Sequence, residues 1–228
     1  MKSSFLLLAF AGTTLCLNSC KKDHDTTPVV TDPLSTQAVL KFSGNPTDSM
    51  GKIIAGTPTG TPTYVTDRHG NASSAINFDG TSGLLFTGLQ LKGTSLTVSA
   101  WVKNDPANTA LYSMYAGGTG TGGFGFFTNN LHYPGLAISI TSTSSAISPA
   151  TVDNNWHNIA GTYDGTNIRL FVDGVLVATK NHPGTMTDGA KTLAMGYFSP
   201  DFWKGSIDDL RIYNTVLTDA QIAALAAL

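Results

Sequence analysis

The sequence contains no glutamate. All 15 acidic residues are aspartates, set against 13 lysines and arginines, for a net charge of −2. Charge of either sign is scarce, at 12% of the chain, about half the ~25% usual in soluble domains. The missing Glu excludes every mechanism built on a Glu acid or nucleophile, and with it most two-carboxylate glycosidase sites. Scattered Lys and Arg in a near-neutral chain exclude the basic footprint of a nucleic-acid binder. No apolar run reaches the ~20 residues that a membrane-spanning helix needs. His69, His132, His157 and His182 have no metal-ligand spacing, and no Gly-x-Ser-x-Gly elbow occurs. What is abundant is glycine, 24 residues, together with Thr, a composition of short strands and tight turns.

Met1–Ser4 carries one Lys, and residues 5–17 form an apolar run of signal-peptide length. No small-x-small cleavage site follows it. Leu17-Asn18-Ser19-Cys20 stands there instead and resembles the lipobox of bacterial lipoproteins, with Asn18 departing from the strict consensus. That resemblance implies that residues 1–19 are removed and that Cys20 is acylated as the mature N-terminus. Cys16 then leaves with the leader, so the mature chain has neither disulfide nor free thiol and is stabilised by its core. A diacylated Cys anchors stably where a single chain is marginal. Residues 20–36, with charge, two prolines and no periodicity, read as a flexible tether. Lys22-Asp23-His24-Asp25 resembles the surface-export signal of some Gram-negative lipoproteins. The expected location is therefore the outer membrane, at the cell surface.

From residue 37 onward the pattern is all-β. Leu96, Val98, Ala100 and Val102 alternate strictly with Thr97, Ser99, Trp101 and Lys103. Residues 168–172 alternate likewise and run into Asp173-Gly174, a strong hairpin signal. Further strands are expected at 38–43, 74–79, 84–87, 110–116, 124–128, 136–141, 156–163, 191–197 and 205–213. No βα alternation occurs, which argues for an antiparallel sandwich or jelly roll over 37–228. Thr218-Asp219-Ala220-Gln221 has capping-box spacing and opens one short C-terminal helix, expected as a lid over an edge of the sandwich. Gly56–Thr63 reads as a loop.

Four segments then resemble the laminin-G-like, or concanavalin A-like, jelly-roll domains of bacterial surface proteins. They are Phe42-Ser43-Gly44-Asn45 with Asp48-Ser49 and Gly51; Asp67-Arg68-His69-Gly70-Asn71-Ala72 with Phe78-Asp79-Gly80; Leu96 to Lys103 followed by Trp156 to Gly165 and Leu170 to Gly174; and Gly205 to Asn214 with the 217–225 tail. The resemblance spans residues 38–228. It departs at Asn158, where a second His is usual, and at Pro46-Thr47.

The fold hosts binding modules, adhesive domains, hydrolases and lyases, so function rests on a site. Hydrolases of the laminarinase type need a Glu-x-Asp-x-x-Glu strand, which this chain cannot supply. Asp208-Asp209 is the only adjacent acidic pair, and strand neighbours face opposite sides. Arg68, Arg169 and Arg211 are not clustered in sequence as a lyase site requires. No catalytic residue is assigned. For a metal, the resemblance implies a structural calcium held by Asp208 with Gly44, Asn45 and Asp79; the alternative is that Asp208 accepts loop amides with no metal. No other cofactor is called for. Trp101 and Trp156 fall on family positions and read as packing residues. Trp203, together with Phe124 and Phe126 after the Gly-rich 117–123 loop and His132-Tyr133 on the next turn, are the candidate ligand contacts. The expected partners are the membrane, through the lipid, and a glycan. The alternatives are an adhesive module that binds surface protein, and an unusual polysaccharide lyase or glycoside hydrolase.

Overall fold

The computed structural model describes residues 36–91, 93–117, 122–128, 132–187 and 189–228. The leader, Cys20 and the tether up to residue 35 lie outside the described residues. In chain order the strands are β1 (Thr36–Leu40), β2 (Ile54–Ala55), β3 (Thr63–Val65), β4 (Ala75–Asp79), β5 (Leu84–Leu91), β6 (Leu96–Asn104) and β7 (Met114–Gly117). They continue with β8 (Gly123–Thr128), β9 (Pro134–Ser139), β10 (Thr143–Ile147), β11 (Trp156–Tyr163) and β12 (Asn167–Val172). The last are β13 (Val175–Asn181), β14 (Gly189–Met195), β15 (Tyr197–Phe198), β16 (Asp201–Phe202) and β17 (Lys204–Tyr213), followed by helix α1 (Asp219–Ala226).

Two antiparallel sheets face each other. One has eight strands, in the order β13-β12-β11-β6-β17-β4-β3 with β1 added beside β17; the other has seven, β10-β9-β8-β7-β14-β5-β2. Alternation decides which side chains meet between them. Leu96, Val98, Ala100 and Val102 of β6 point into one core with Phe124 and Phe126 of β8, Leu136 and Ile138 of β9, and Phe78 of β4. The β12–β13 hairpin turns on Asp173 and Gly174, both at positive φ (50° and 78°), the backbone that a two-residue Asp-Gly turn needs.

The capping box forms: Gln221 N donates to Thr218 Oγ1, and Thr218 N donates to Gln221 Oε1 at 2.9 Å. Helix α1 lies over a face of the eight-stranded sheet, not over an edge. Its Ile222 and Leu225 complete a second apolar cluster with Ala160, Phe171, Tyr213 and Leu217, and Arg169 clamps Asp219 with two bonds of 2.7 and 2.9 Å. Among the described residues no helix is long and apolar enough to cross a membrane.

Candidate functional site

The half of that face left uncovered by α1 is where side chains of different strands converge. Register places Thr63 of β3 opposite Asn77 of β4, Asn77 opposite Ser206 of β17, Ser206 opposite Lys103 of β6, and Lys103 opposite Trp156 of β11. These five residues form one row across five strands, about 19 Å long at the usual strand spacing of about 4.8 Å. All point away from the core, because their strand neighbours Ile76, Ile207 and Val102 point into it. The loops after β6 (Asp105, Pro106) and before β11 (Asn154), with Val65 and Thr66, wall a groove of about 440 Å³ over the part of this row from Asn77 to Trp156.

The walls are held from behind. Asp105 Oδ1 accepts Ala107 N at 2.8 Å, and its carboxylate pairs with Lys204 at 3.4 Å. Asp153 accepts Asn155 N at 2.7 Å and lies 3.0 Å from His157 Nε2, while His157 Nδ1 lies 2.8 Å from Asp173. Burial acts to lower the His157 pKa, but these two carboxylates carry it above its ordinary value. Through these two contacts His157 ties the turn beside Asn154 to the β12–β13 hairpin.

Trp101 lies one row further along, opposite Asp208 and Asn158. The Arg68 guanidinium covers its ring at 4.9 Å. Trp101, Trp156, Arg68 and the residues that close and follow α1 (Ala226 to Leu228) line a smaller cavity of about 320 Å³. Neither Trp belongs to the core between the sheets; both are half-buried on the outward face. Trp101 is a packing residue of this outward face, beneath Arg68, and the alternation of β6 had already set Trp101 and Lys103 against the apolar set.

The candidate ligand contacts named from sequence go elsewhere. Trp203 is 0% exposed, Phe124 0% and Phe126 1%; all three are core residues and cannot touch a ligand. Phe124 and Phe126 do share a strand face, but it is the inward one. The Trp203 ring packs edge-on to Phe78, centroids 6.4 Å apart, and close over Gly205, where any Cβ would lie 2.4 Å from the ring. His132 and Tyr133 are half-buried at the entry to β9, with the His132 carbonyl accepting Val152 N at 2.9 Å; they do not line the groove.

The expected calcium ligands do not assemble either. The β17 edge pairs with β4 as far as Ile207 and with β1 from Leu210, and Asp208 and Asp209 lie between the two ladders. Asp209 adopts φ 46° in a bulge there, so the rule that strand neighbours face opposite sides fails at this pair. Both carboxylates reach Arg68, Asp208 in direct contact and Asp209 at 3.5 Å, and Asp209 also binds Arg211 at 2.9 Å. Two arginines far apart in sequence are thus brought together, but each acid is already matched by a guanidinium. Burial pushes the Asp208 carboxyl up to about 6; Arg68 pulls it down, and Asp209 and Asp67 add to the rise.

Asp79 pairs with Lys204, four residues along β17 from Asp208, roughly 13 Å away. Its carboxylate serves its own turn, accepting Thr81 N at 2.9 Å and Ser82 Oγ at 2.8 Å, which holds its pKa down at about 2. Asn45 Oδ1 accepts Thr47 N at 2.9 Å, and Gly44 donates to Ser73 O. With a cation already seated on Asp208, these residues do not fit a calcium ion. Among the described residues no three His, Cys, Asp or Glu side chains are grouped to hold a metal.

The opposite face of the molecule carries a layer of rings. Tyr112, Tyr115 and Phe198 meet in tilted and edge-on contacts at 4.8–6.2 Å, with Phe127 edge-on 5.5 Å from Tyr112. Tyr112 and Phe127 sit close on the seven-stranded sheet, where a Cβ at Gly125 or Gly135 would meet their rings. Phe198 is 36% exposed.

Residues 78–223 match the family described as the concanavalin A-like lectin/glucanases superfamily, and the chain belongs to it. One 66-residue stretch is 35% identical to part of an alpha-L-arabinofuranosidase from Bifidobacterium longum subsp. longum, covering 27% of this chain and only 6% of that enzyme. Among solved structures, domain 4 of an extracellular arabinanase from Geobacillus stearothermophilus, in complex with arabinotriose, superposes with a TM-score of 0.71 at 22% identity, over 84% of this chain and 98% of that domain. The binding domain of botulinum neurotoxin serotype D superposes at 0.67 with 13% identity, over 86% and 51% respectively. At these identities the likeness is one of fold.

Proposed function

We propose that the protein is a non-catalytic, lipid-anchored module that holds a glycan in the groove on its eight-stranded sheet. The observation that carries this is the row Thr63, Asn77, Ser206, Lys103 and Trp156. It sets a half-exposed indole beside hydroxyl, amide and ammonium groups along a length that suits a short oligosaccharide. The absence of chemistry is supported by the carboxylates at hand. Asp105 is matched by Lys204, and Asp208 by Arg68, so among the described residues no pair of free carboxyl groups flanks the groove as a glycosidase requires. Cys20 carries the anchor, and the tether gives reach from the outer membrane.

The arabinanase domain of the same fold was crystallised with arabinotriose, which makes arabino-oligosaccharides the first neutral probes. A glycan array run with the wild type, Trp156→Ala and Phe198→Ala tests the site. Binding lost in Trp156→Ala and kept in Phe198→Ala supports the groove; the reverse pattern moves the site to the other sheet. A second reading, adhesion to a surface protein, draws on the ring layer around Phe198. It predicts an array without hits and a protein ligand that Phe198→Ala abolishes. Radiolabelled fatty acid incorporated into the wild type and not into Cys20→Ala tests the anchor.

A further inference from the structure

We infer that the groove selects acidic saccharides, those bearing a carboxylate or a sulfate ester, an inference that rests on the glycan-binding reading above. The argument is an inventory of donors and charge along the row. Lys103 is exposed, and its ammonium makes no hydrogen bond or ion pair among the described residues. The other charged groups at the groove, Asp105 and Lys204, are paired with each other at 3.4 Å, so the ammonium of Lys103 sets the net sign of the groove as positive.

The neutral groups lean the same way. Asn77 accepts Ser206 Oγ through its Oδ1 at 2.9 Å, which leaves its amide N–H groups to donate. The Trp156 indole is half-exposed, and its N–H has no partner among the described residues. A wall that offers N–H donors from Asn77, Trp156 and Lys103 and has its one carboxylate neutralised is matched by a ligand rich in acceptors.

Geometry then locates the charge. Lys103 is the direct cross-strand neighbour of Trp156, with side chains on the same face. Opposed residues on one face have Cβ atoms about 5 Å apart. A sugar ring stacked on the indole therefore brings a ring substituent to the ammonium, and an anionic substituent forms a charge-assisted hydrogen bond there. No bond is made or broken.

The test is calorimetric titration of the intact protein with trigalacturonate, a sulfated carrageenan tetrasaccharide and neutral arabinotriose, at low and at physiological salt. The expected result is binding of at least one acidic probe at least tenfold tighter than arabinotriose, weakening as salt rises. Lys103→Met is expected to remove that tenfold preference, so that the acidic probes bind the variant no more tightly than arabinotriose does. Its melting temperature serves as the folding control, since the side chain is exposed. The carboxylate and sulfate arms identify which anion is read. Equal affinity for neutral and acidic probes, or a preference that survives Lys103→Met, overturns the inference and leaves the glycan site standing. Binding of any probe that is unaffected by Trp156→Ala, or no binding of any saccharide, overturns the underlying reading itself.

Discussion

Replacing Trp203 by Ala separates a packing residue from a ligand contact. The indole is fully buried, and an aromatic side chain of about 200 Å² at about 25 cal/mol per Å² is worth about 5 kcal/mol of burial. Aromatic-to-Ala substitutions in cores cost about 3–5 kcal/mol. The upper end applies here, because the ring packs in an edge-type contact with Phe78 and close against Gly205, and neither can collapse far into the void. A loss of about 4–5 kcal/mol in a domain of this size lowers Tm by roughly 8–20 °C. Urea denaturation followed by circular dichroism measures the loss, and titration under conditions where the variant remains folded measures affinity. Affinity within twofold of the wild type is expected. Trp203→Phe keeps the ring contact and forfeits no hydrogen bond, since Nε1 has no partner, and is expected to cost about half as much. A Trp203→Ala protein of near wild-type stability that no longer binds its glycan would refute the placement of this ring.

Three further outcomes follow from other sites. Asp48 is 4% exposed and accepts the backbone N–H groups of Val39, Met50, Lys52 and Ile53; Asp48→Ala orphans four donors and is expected to cost about 3 kcal/mol in chemical denaturation. His157 has a raised folded pKa, so its contribution to stability is complete below the unfolded value of about 6.5 and is lost as pH rises through the higher folded value. The wild-type melting temperature should therefore fall more between pH 6 and 9 than that of His157→Gln, and parallel curves would contradict the clamp. Arg68→Met leaves two buried acids facing each other, an expected loss of about 3–5 kcal/mol; millimolar calcium should leave the wild-type Tm unchanged, and a calcium-dependent rise abolished by Asp208→Ala would show that the metal displaces Arg68.

Much of the fold was legible because local signals and tertiary demands agree. The alternation of β6, the Asp173-Gly174 turn and the Thr218 capping box each appear where the residues place them. Polar or low-complexity strands escaped notice: β3 begins inside the expected Gly56–Thr63 loop, and β10 (Thr143–Ile147) carries Thr and Ser in place of an apolar alternation. These strands are defined by their partners, not by their own composition. The site was less legible for the same reason. The groove row is a matter of register between five strands, and Arg68 meets Asp208 across 140 residues. Trp203 looked like a loop aromatic because the short β15–β16 hairpin and the glycine that seats its ring come from folding back onto the core. The Asp208-Asp209 pair defied alternation through a left-handed aspartate, a conformation that nothing in its neighbours announces.

The three indole N–H resonances of Trp101, Trp156 and Trp203 provide the most direct test of the groove. In a 15N-labelled sample titrated with the tightest-binding saccharide, the Trp156 signal should move most, with the backbone amides of Asn77, Asp105 and Asn154 shifting alongside it. The Trp203 signal should stay in place. Shifts confined to Tyr112, Tyr115 and Phe198, with Trp156 unmoved, would contradict the assignment of the site to the eight-stranded sheet.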